Sequence, residues 1–522
     1  MRTPRLLLAA AVTASIAAVP AVQAASPASP ANPGSAHMGR YLLQLADGQR
    51  AATLEGRLTS LGVTSAVAFE TINSLAITAP RSAVDALLRS GTAVAARPER
   101  KIKLHLAESV KYMGADRETL GKSAVMRTAA GKVERPSVDG TGQTVAVLDT
   151  GIADVHPDLL NRVTVHRNFE LSYLADMLLD GSQLDTFAQA TGDTARTDDI
   201  GHGTHVAGIV GGTGAAARAR ANNNRGVAPG AKMVDLRIAA GPVQGLVSDM
   251  GWERNAIAAF DWLLRHRKDA EFGANGIAIA TNSWGLTPED LFYGAPSYEP
   301  LAAIIVKLER AGVHNVFSAG NDGAADKVGD RTIPNGLPQV ISVAASCKPD
   351  AIQENCDKAT AVNDIGKFSS RGTSVDIAAP GVEIVSTVSP SVVGALSKGC
   401  APDELGPVPC RFYRGVYGGK NATPADVAAN YALYGSLHGT SMAAPHVAGA
   451  LALILQANPK LTPTQMQTIL AATAKDRQRK GRDIEAGWGL IDVPRALAAA
   501  TQLKKGVPMK KIFPGFRWKS SL

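Results

Sequence analysis

Asp149, His202 and Ser441 are the three residue types that together carry out acyl transfer, and each stands in its own glycine-containing segment. These are Thr144-Val-Ala-Val-Leu-Asp149-Thr-Gly151, Gly201-His-Gly-Thr-His-Val-Ala-Gly-Ile-Val-Gly211 and His438-Gly-Thr-Ser-Met-Ala-Ala-Pro-His-Val-Ala-Gly449. A serine hydroxyl is a weak nucleophile at its own pKa, so it needs a base within reach and a site that stabilises the oxyanion it creates. An imidazole supplies the base, and a carboxylate holds the imidazole in the required tautomer.

The elements that must position these groups are readable nearby. Ser441 follows two small residues and precedes a long apolar run, so it opens a helix whose first amides lack intrahelical partners and face developing negative charge. Taken alone, Gly-Thr-Ser reads first as an N-cap serine on a buried helix; the other two segments overturn that reading in favour of chemistry. The run 144–149 is apolar and β-branched, a buried parallel strand with Asp149 at the carboxyl edge, where open α/β sheets bind ligands. His202 starts a small-residue helix and can point outward. His205, one turn on beside Val206 and Ile209, reads as a core histidine, and His446 as packing.

Aspartate, histidine and serine in this order, each with its own signature, resemble the subtilisin-like serine peptidases over nearly the whole chain after the first hundred residues. The resemblance implies an α/β fold, a mostly parallel sheet flanked by helices, behind a small α+β propeptide domain. It gives Ser441 the role of nucleophile, His202 that of general base and acid, and Asp149 that of imidazole anchor. Asn321, in Val316-Phe-Ser-Ala-Gly-Asn321-Asp-Gly323, takes the place of the oxyanion-hole donor. Substrate backbone is expected to pair as an added strand with Ser283, Trp284 and Gly285, and opposite them with the segment around Gly245. Trp284 departs from the smaller aliphatic residue usual there, which suggests a bulkier pocket wall. Thr332 falls where the family builds the base of its specificity pocket. The resemblance implies no cofactor for catalysis and allows a structural calcium, with Asp158 as one oxygen ligand and the loop 221–227 as partner.

The remaining chain suggests export and restraint. Arg2 and Arg5 precede an apolar run from Leu6 to Val19 and then Val22-Gln-Ala24, a secretory signal pattern over 1–24. Residues 25–36, rich in Ala, Ser and Pro, read as a linker. A strand at 41–45, a helix at 50–61, a hairpin at 66–78, a helix at 80–90 and a final strand at 93–103 resemble the family's inhibitory propeptide. Its end would enter the active site like a product, which puts self-cleavage between His105 and Glu108. The catalytic domain would then run over 107–500, followed by a basic tail at 501–522. A secreted monomer, extracellular or periplasmic, is expected, acting on proteins or peptides and held at first by its own propeptide.

Composition agrees: 45% hydrophobic residues and 51 glycines in 522 suit a large, tightly packed α/β core. The net charge of +8 does not indicate a nucleic-acid groove, because Lys504, Lys505, Lys510, Lys511, Arg517 and Lys519 crowd an acid-free tail. After the signal no stretch reaches about 18 uninterrupted apolar residues, so stable membrane insertion is not expected. Cys347 lies near Cys356 and Cys400 near Cys410, without zinc-site spacing. Two local disulfides are favoured by the short loops, although four cysteines allow three connectivities. Long segments at 171–189 and 405–429 read as surface insertions. An esterase is the nearest rival enzyme, but Ala443 breaks the Gly-x-Ser-x-Gly elbow and the acid precedes the serine. A noncatalytic binding scaffold of the same fold would predict damage at the four catalytic positions, and all four are intact.

Overall fold

A half-buried antiparallel sheet needs apolar side chains on the face that meets its partner, and the amino-terminal strands bury theirs on two faces. The computed structural model describes residues 38–100, 102–104, 126–127, 133–134, 138–169, 198, 200–215, 224–239, 253–286, 293–294, 299–323, 334–347, 356, 365–389, 434–476 and 481–516. Strand β1 (Met38–Leu45) lies between β3 (Ser74–Pro80) and β4 (Ala93–Pro98), and β2 (Ser65–Phe69) forms a hairpin with β3. One face, with Leu43, Leu75 and Ile77, packs on the helices Glu55–Ser60 and Arg81–Arg89 through Leu58, Val84 and Leu87. The other, with Leu42, Ala76 and Ala95, joins Ile257 and Phe260 of helix Glu253–His266 in a second apolar cluster.

The single final strand expected at 93–103 is two strands. β4 ends at Pro98, and β5 (Ile102–Leu104) pairs antiparallel outside that sheet, with a segment of the larger part of the protein. Proline has no amide hydrogen to continue the ladder, and the charged residues after it are drawn to partners elsewhere: Glu99 binds Arg254, and Arg100 binds Glu253. The signal segment, the linker and the cleavage region 105–108 lie outside the described residues.

A short ladder joins β6 (Met126–Arg127) to β7 (Val133–Glu134). Then comes the main sheet, whose first strands are β8 (Thr144–Asp149), β9 (Val163–Asn168), β10 (Lys232–Arg237) and β11 (Ile277–Asn282). β12 (Trp284–Leu286) leaves it to pair with β5, and β13 (Tyr293–Gly294) extends the small sheet beside β4. β14 (His314–Ser318), β15 (Val340–Ser346) and β16 (Ile377–Pro380) complete seven parallel strands in the order β16-β15-β14-β11-β8-β10-β9. β17 (Ile384–Thr387) and β18 (Tyr434–Leu437) form an antiparallel pair just before the serine segment. The expected architecture, a mostly parallel sheet with helices behind a small α+β unit, is therefore present. β8 is buried along its whole length, as its continuous apolar run requires of a central parallel strand.

Helix Thr440–Ala457 is long and apolar enough to cross a bilayer, but 89% of it is buried inside the protein. It is the core helix, packed through Val447, Leu451 and Ile454 among residues of the sheet. Cys347 and Cys356 form a disulfide, the local pairing expected; Cys400 and Cys410 lie outside the described residues.

Three buried groups make the fold acid-sensitive. Burial holds His205 down to about 3 and His314 down to about 4. Burial alone would raise Glu253, but Arg97 and Arg100 hold it at about 2. In the unfolded chain the imidazoles take up protons near pH 6.5 and the carboxyl near 4.5, in each case before the folded chain does. At these three groups the unfolded state binds more protons as pH falls below 6.5, so their contribution to stability falls with pH at about 1.4 kcal/mol per unit for each imidazole. His166 acts in the opposite sense: its pKa is raised against burial by Asp235 and Asp154, and its contribution is lost as pH rises through that value. Denaturant titrations between pH 7 and 4 should show this steep acid loss; a flat profile would contradict the neutral burial of His205 and His314.

Candidate active site

Asp149 closes β8 at the carboxyl edge of the sheet, with Arg237 of β10 beside it in register. Helix His202–Gly211 begins against that strand end, and a Cβ at Gly203 would run into the Gly151 carbonyl and the Asp149 side chain. Only glycine allows this approach. It brings His202 Nδ1 to 2.5 Å from Asp149 Oδ1, with both side chains 1% exposed. The Thr150 amide donates to the same oxygen at 2.8 Å.

Asp198, which the sequence reading did not single out, braces this pair. It is fully buried, accepts from Thr150 Oγ1 and the Gly201 amide at 2.8 Å, and accepts from both the amide and hydroxyl of Thr204 at 2.7 Å. One carboxylate thus ties the residue after Asp149 to the turn that carries His202. Burial pushes its pKa up, opposed by the hydrogen bonds from Thr204, Thr150 and Gly201. An acidic residue just before a helix start was the available signal.

Ser441 lies in the first turn of the core helix and is fully buried. Gly439, just before it, has φ 142°, which favours glycine. The serine is locked reciprocally to the residue that follows β11: Ser441 Oγ donates to the Ser283 carbonyl, and Ser283 Oγ donates to the Ser441 carbonyl, both at 2.6 Å. The second bond has a cause in the sequence. Pro445 lies four residues after Ser441 and has no amide hydrogen, so the Ser441 carbonyl lacks the regular i+4 donor and accepts from Ser283 Oγ.

Asn321 follows β14 on the same edge. Its Oδ1 accepts from the amide and the hydroxyl of Thr440, both at 2.9 Å, and Thr440 Oγ1 accepts from the Gly320 amide at 3.0 Å. With the oxygen held by two donors, the side-chain amide hydrogens are turned the other way. Thr440, the residue before the serine, therefore sets which end of Asn321 is presented.

The strand Ile102–Leu104 lies antiparallel on β12, with Leu104 opposite Trp284, Lys103 opposite Gly285 and Ile102 opposite Leu286. An extended segment is thus laid beside Ser283. Trp284 contributes backbone to this pairing, but its ring corrects one expectation. The indole is fully buried against Phe260 and Phe317, with ring centroids 6.4 and 5.3 Å away, and so belongs to the core instead of forming a bulkier pocket wall. Strand alternation is the reason: a ring whose backbone neighbours face the cleft points the other way. Gly245 and Thr332 lie outside the described residues.

His205 is a core histidine as expected, its Nε2 within 3.1 Å of the Ile384 and Gly435 carbonyls. His446 Nδ1 lies 2.7 Å from the Met442 carbonyl, one turn back in the same helix. Asp158 is fully buried and takes the Tyr434 hydroxyl on Oδ2 at 2.7 Å. In the loop expected to face it, the Gly226 and Val227 amides bond to the carbonyls of Gly212 and Ile209. Calcium needs six to eight oxygens; among the described residues no group of three or more His, Cys, Asp and Glu side chains gathers, and residues 221–223 of the expected partner loop lie outside the described residues.

The subtilase family model matches residues 140–489, a span that includes all four residues. Fervidolysin of Fervidobacterium pennivorans is 32% identical over 375 residues, 70% of this chain and 42% of fervidolysin. Serine protease AprX of Bacillus subtilis is 28% identical, over 69% of this chain and 67% of AprX. Subtilisin DY of Bacillus licheniformis is 26% identical, over 70% of this chain and 95% of that protein. The chain thus spans less than half of fervidolysin but nearly all of subtilisin DY. The crystal structure of fervidolysin, described as a keratinolytic enzyme related to subtilisin, has the same fold, with TM-score 0.58 and 24% identity over 90% of this chain and 62% of that one.

Proposed function

Because this chain belongs to the subtilase family, we propose that it is a serine endopeptidase that works through an acyl-enzyme on Ser441 and is made as a secreted, self-processing precursor. One observation carries the reading: two hydrogen-bonded groups from separate segments, Asp149 with His202 and Ser441 with Ser283 and Thr440-bound Asn321, stand at the carboxyl ends of the neighbouring strands β8, β11 and β14.

In this reading the Ser441 hydroxyl turns from the Ser283 carbonyl to Nε2 of His202 and attacks the scissile carbonyl. His202 takes the proton and returns it to the leaving amine, while Asp149 holds Nδ1–H and offsets the imidazolium that forms. Asn321 and the first amides of the serine helix meet the oxyanion. Substrate lies on β12 as Ile102–Leu104 does, by backbone pairing. The amino-terminal unit then inhibits by occupying the cleft, and release follows a first cut beyond Leu104.

A fluorophosphonate should label Ser441, located by mass spectrometry, and casein should be cleaved in preference to short-chain esters. A label elsewhere, or ester cleavage alone, would overturn the reading. Asn321→Ala should lower kcat by about two to three orders of magnitude with KM little changed, because the donor acts on charge that appears only in the transition state. Steady-state kinetics on one peptide substrate decides this.

A further inference from the structure

The amino-terminal unit meets the rest of the protein through a charged clasp that lies upstream of the strand-paired residues. Arg97 Nη2 lies 2.6 Å from Glu253 Oε1 and 3.1 Å from Glu299 Oε2, while Nη1 reaches Glu253 Oε2 at 2.8 Å. Arg100 joins the same two carboxylates, at 2.9 Å to Glu253 and 2.7 Å to Glu299. Glu99, between the arginines, faces a cation: it accepts from Arg254 Nε at 2.8 and 2.7 Å and from the Arg254 amide at 2.8 Å. The carbonyl of Arg100 takes the Glu253 amide at 2.9 Å. Side chains of Arg97, Glu99, Glu253 and Arg254 are 3% exposed or less.

The clasp is therefore a template with alternating charge, read from residues 97–100 and continuous with the strand at 102–104. When that segment leaves, Glu253 and Glu299 are two neighbouring carboxylates without their guanidiniums, with Arg254 beside them. A chain that followed the path of residues 97–104 would pass over them.

We propose that Glu253, Glu299 and Arg254 form a distal recognition site that selects polypeptides with an Arg-x-Glu-Arg pattern upstream of the strand-paired residues. The proposal rests on the peptidase reading and adds a specificity determinant remote from the scissile bond. Desolvated charge pairs of this kind discriminate strongly between partners.

The test uses enzyme processed from the full-length chain and two quenched fluorescent peptides, one of residues 101–110 and one of residues 96–110. The longer peptide should have a KM lower by about tenfold with similar kcat. Replacing the residues that correspond to Arg97 and Arg100 by Ala in that peptide should erase the advantage, without any change to the enzyme. Glu253→Gln in the enzyme should bring the two peptides together. Equal KM for both peptides on the wild-type enzyme would overturn the distal site while leaving the peptidase reading intact. Failure to cleave either peptide would overturn the peptidase reading, and the site with it.

Discussion

Ser441→Ala is expected to lower turnover of a peptide substrate by about six orders of magnitude, since the three residues act as one unit and loss of the nucleophile removes the acyl-enzyme route altogether. The fold should survive. The bond from Ser283 Oγ to the Ser441 carbonyl uses backbone at 441 and remains after the substitution. What is lost is the hydroxyl donated to the Ser283 carbonyl, a buried bond worth about 1 kcal/mol net. Denaturant midpoints near those of the parent, together with an intact amino-terminal unit in a protease-free preparation, would complete the result. A variant that keeps even 1% of the parent rate at about that stability would rule out Ser441 as the nucleophile.

Asp149→Asn is expected to cost about four orders of magnitude in kcat with a nearly unchanged KM. Asparagine keeps the shape and an oxygen for the Thr150 amide, which now donates to Asp149 Oδ1 at 2.8 Å. It cannot offset an imidazolium, and its amide hydrogens can turn His202 to the tautomer that carries the proton on Nε2, where it cannot accept from serine. Asp149 and His202 are almost wholly buried, so water does not replace the missing charge. Single-turnover kinetics would show the loss in the acylation step; a loss under about tenfold would assign Asp149 a structural role only.

Asp149, His202 and Ser441 could be singled out before any coordinates because each sits in a local pattern, and Asn321 because its segment resembles the subtilase motif. An apolar β-branched run ends in Asp149, glycines crowd the start of the His202 helix, and small residues precede Ser441. These patterns report burial, chain direction and close approach, which neighbours in sequence control. Gly203 is a case in point, since the contact that excludes a Cβ there is the one that brings imidazole to carboxylate. Asp198 was open to the same logic, as an acid before a helix start, but its role depends on reaching Thr150, 48 residues away in sequence.

The sequence by itself, through its motifs and their resemblance to the subtilases, carried the proposed chemistry, with Ser441 as nucleophile, His202 as base and Asp149 as anchor, and the mostly parallel sheet that holds them. The tertiary structure decided orientation and partnership. It turned the Trp284 ring into the core beside Phe317, ended β4 at Pro98, fixed the oxygen of Asn321 on Thr440, and set Arg97 on Glu253 across 156 residues of chain. Hydrophobic period and turn chemistry are local properties and can be read along the chain. The side a ring faces and the carboxylate an arginine meets depend on which elements pack together, and no run of neighbouring residues encodes that.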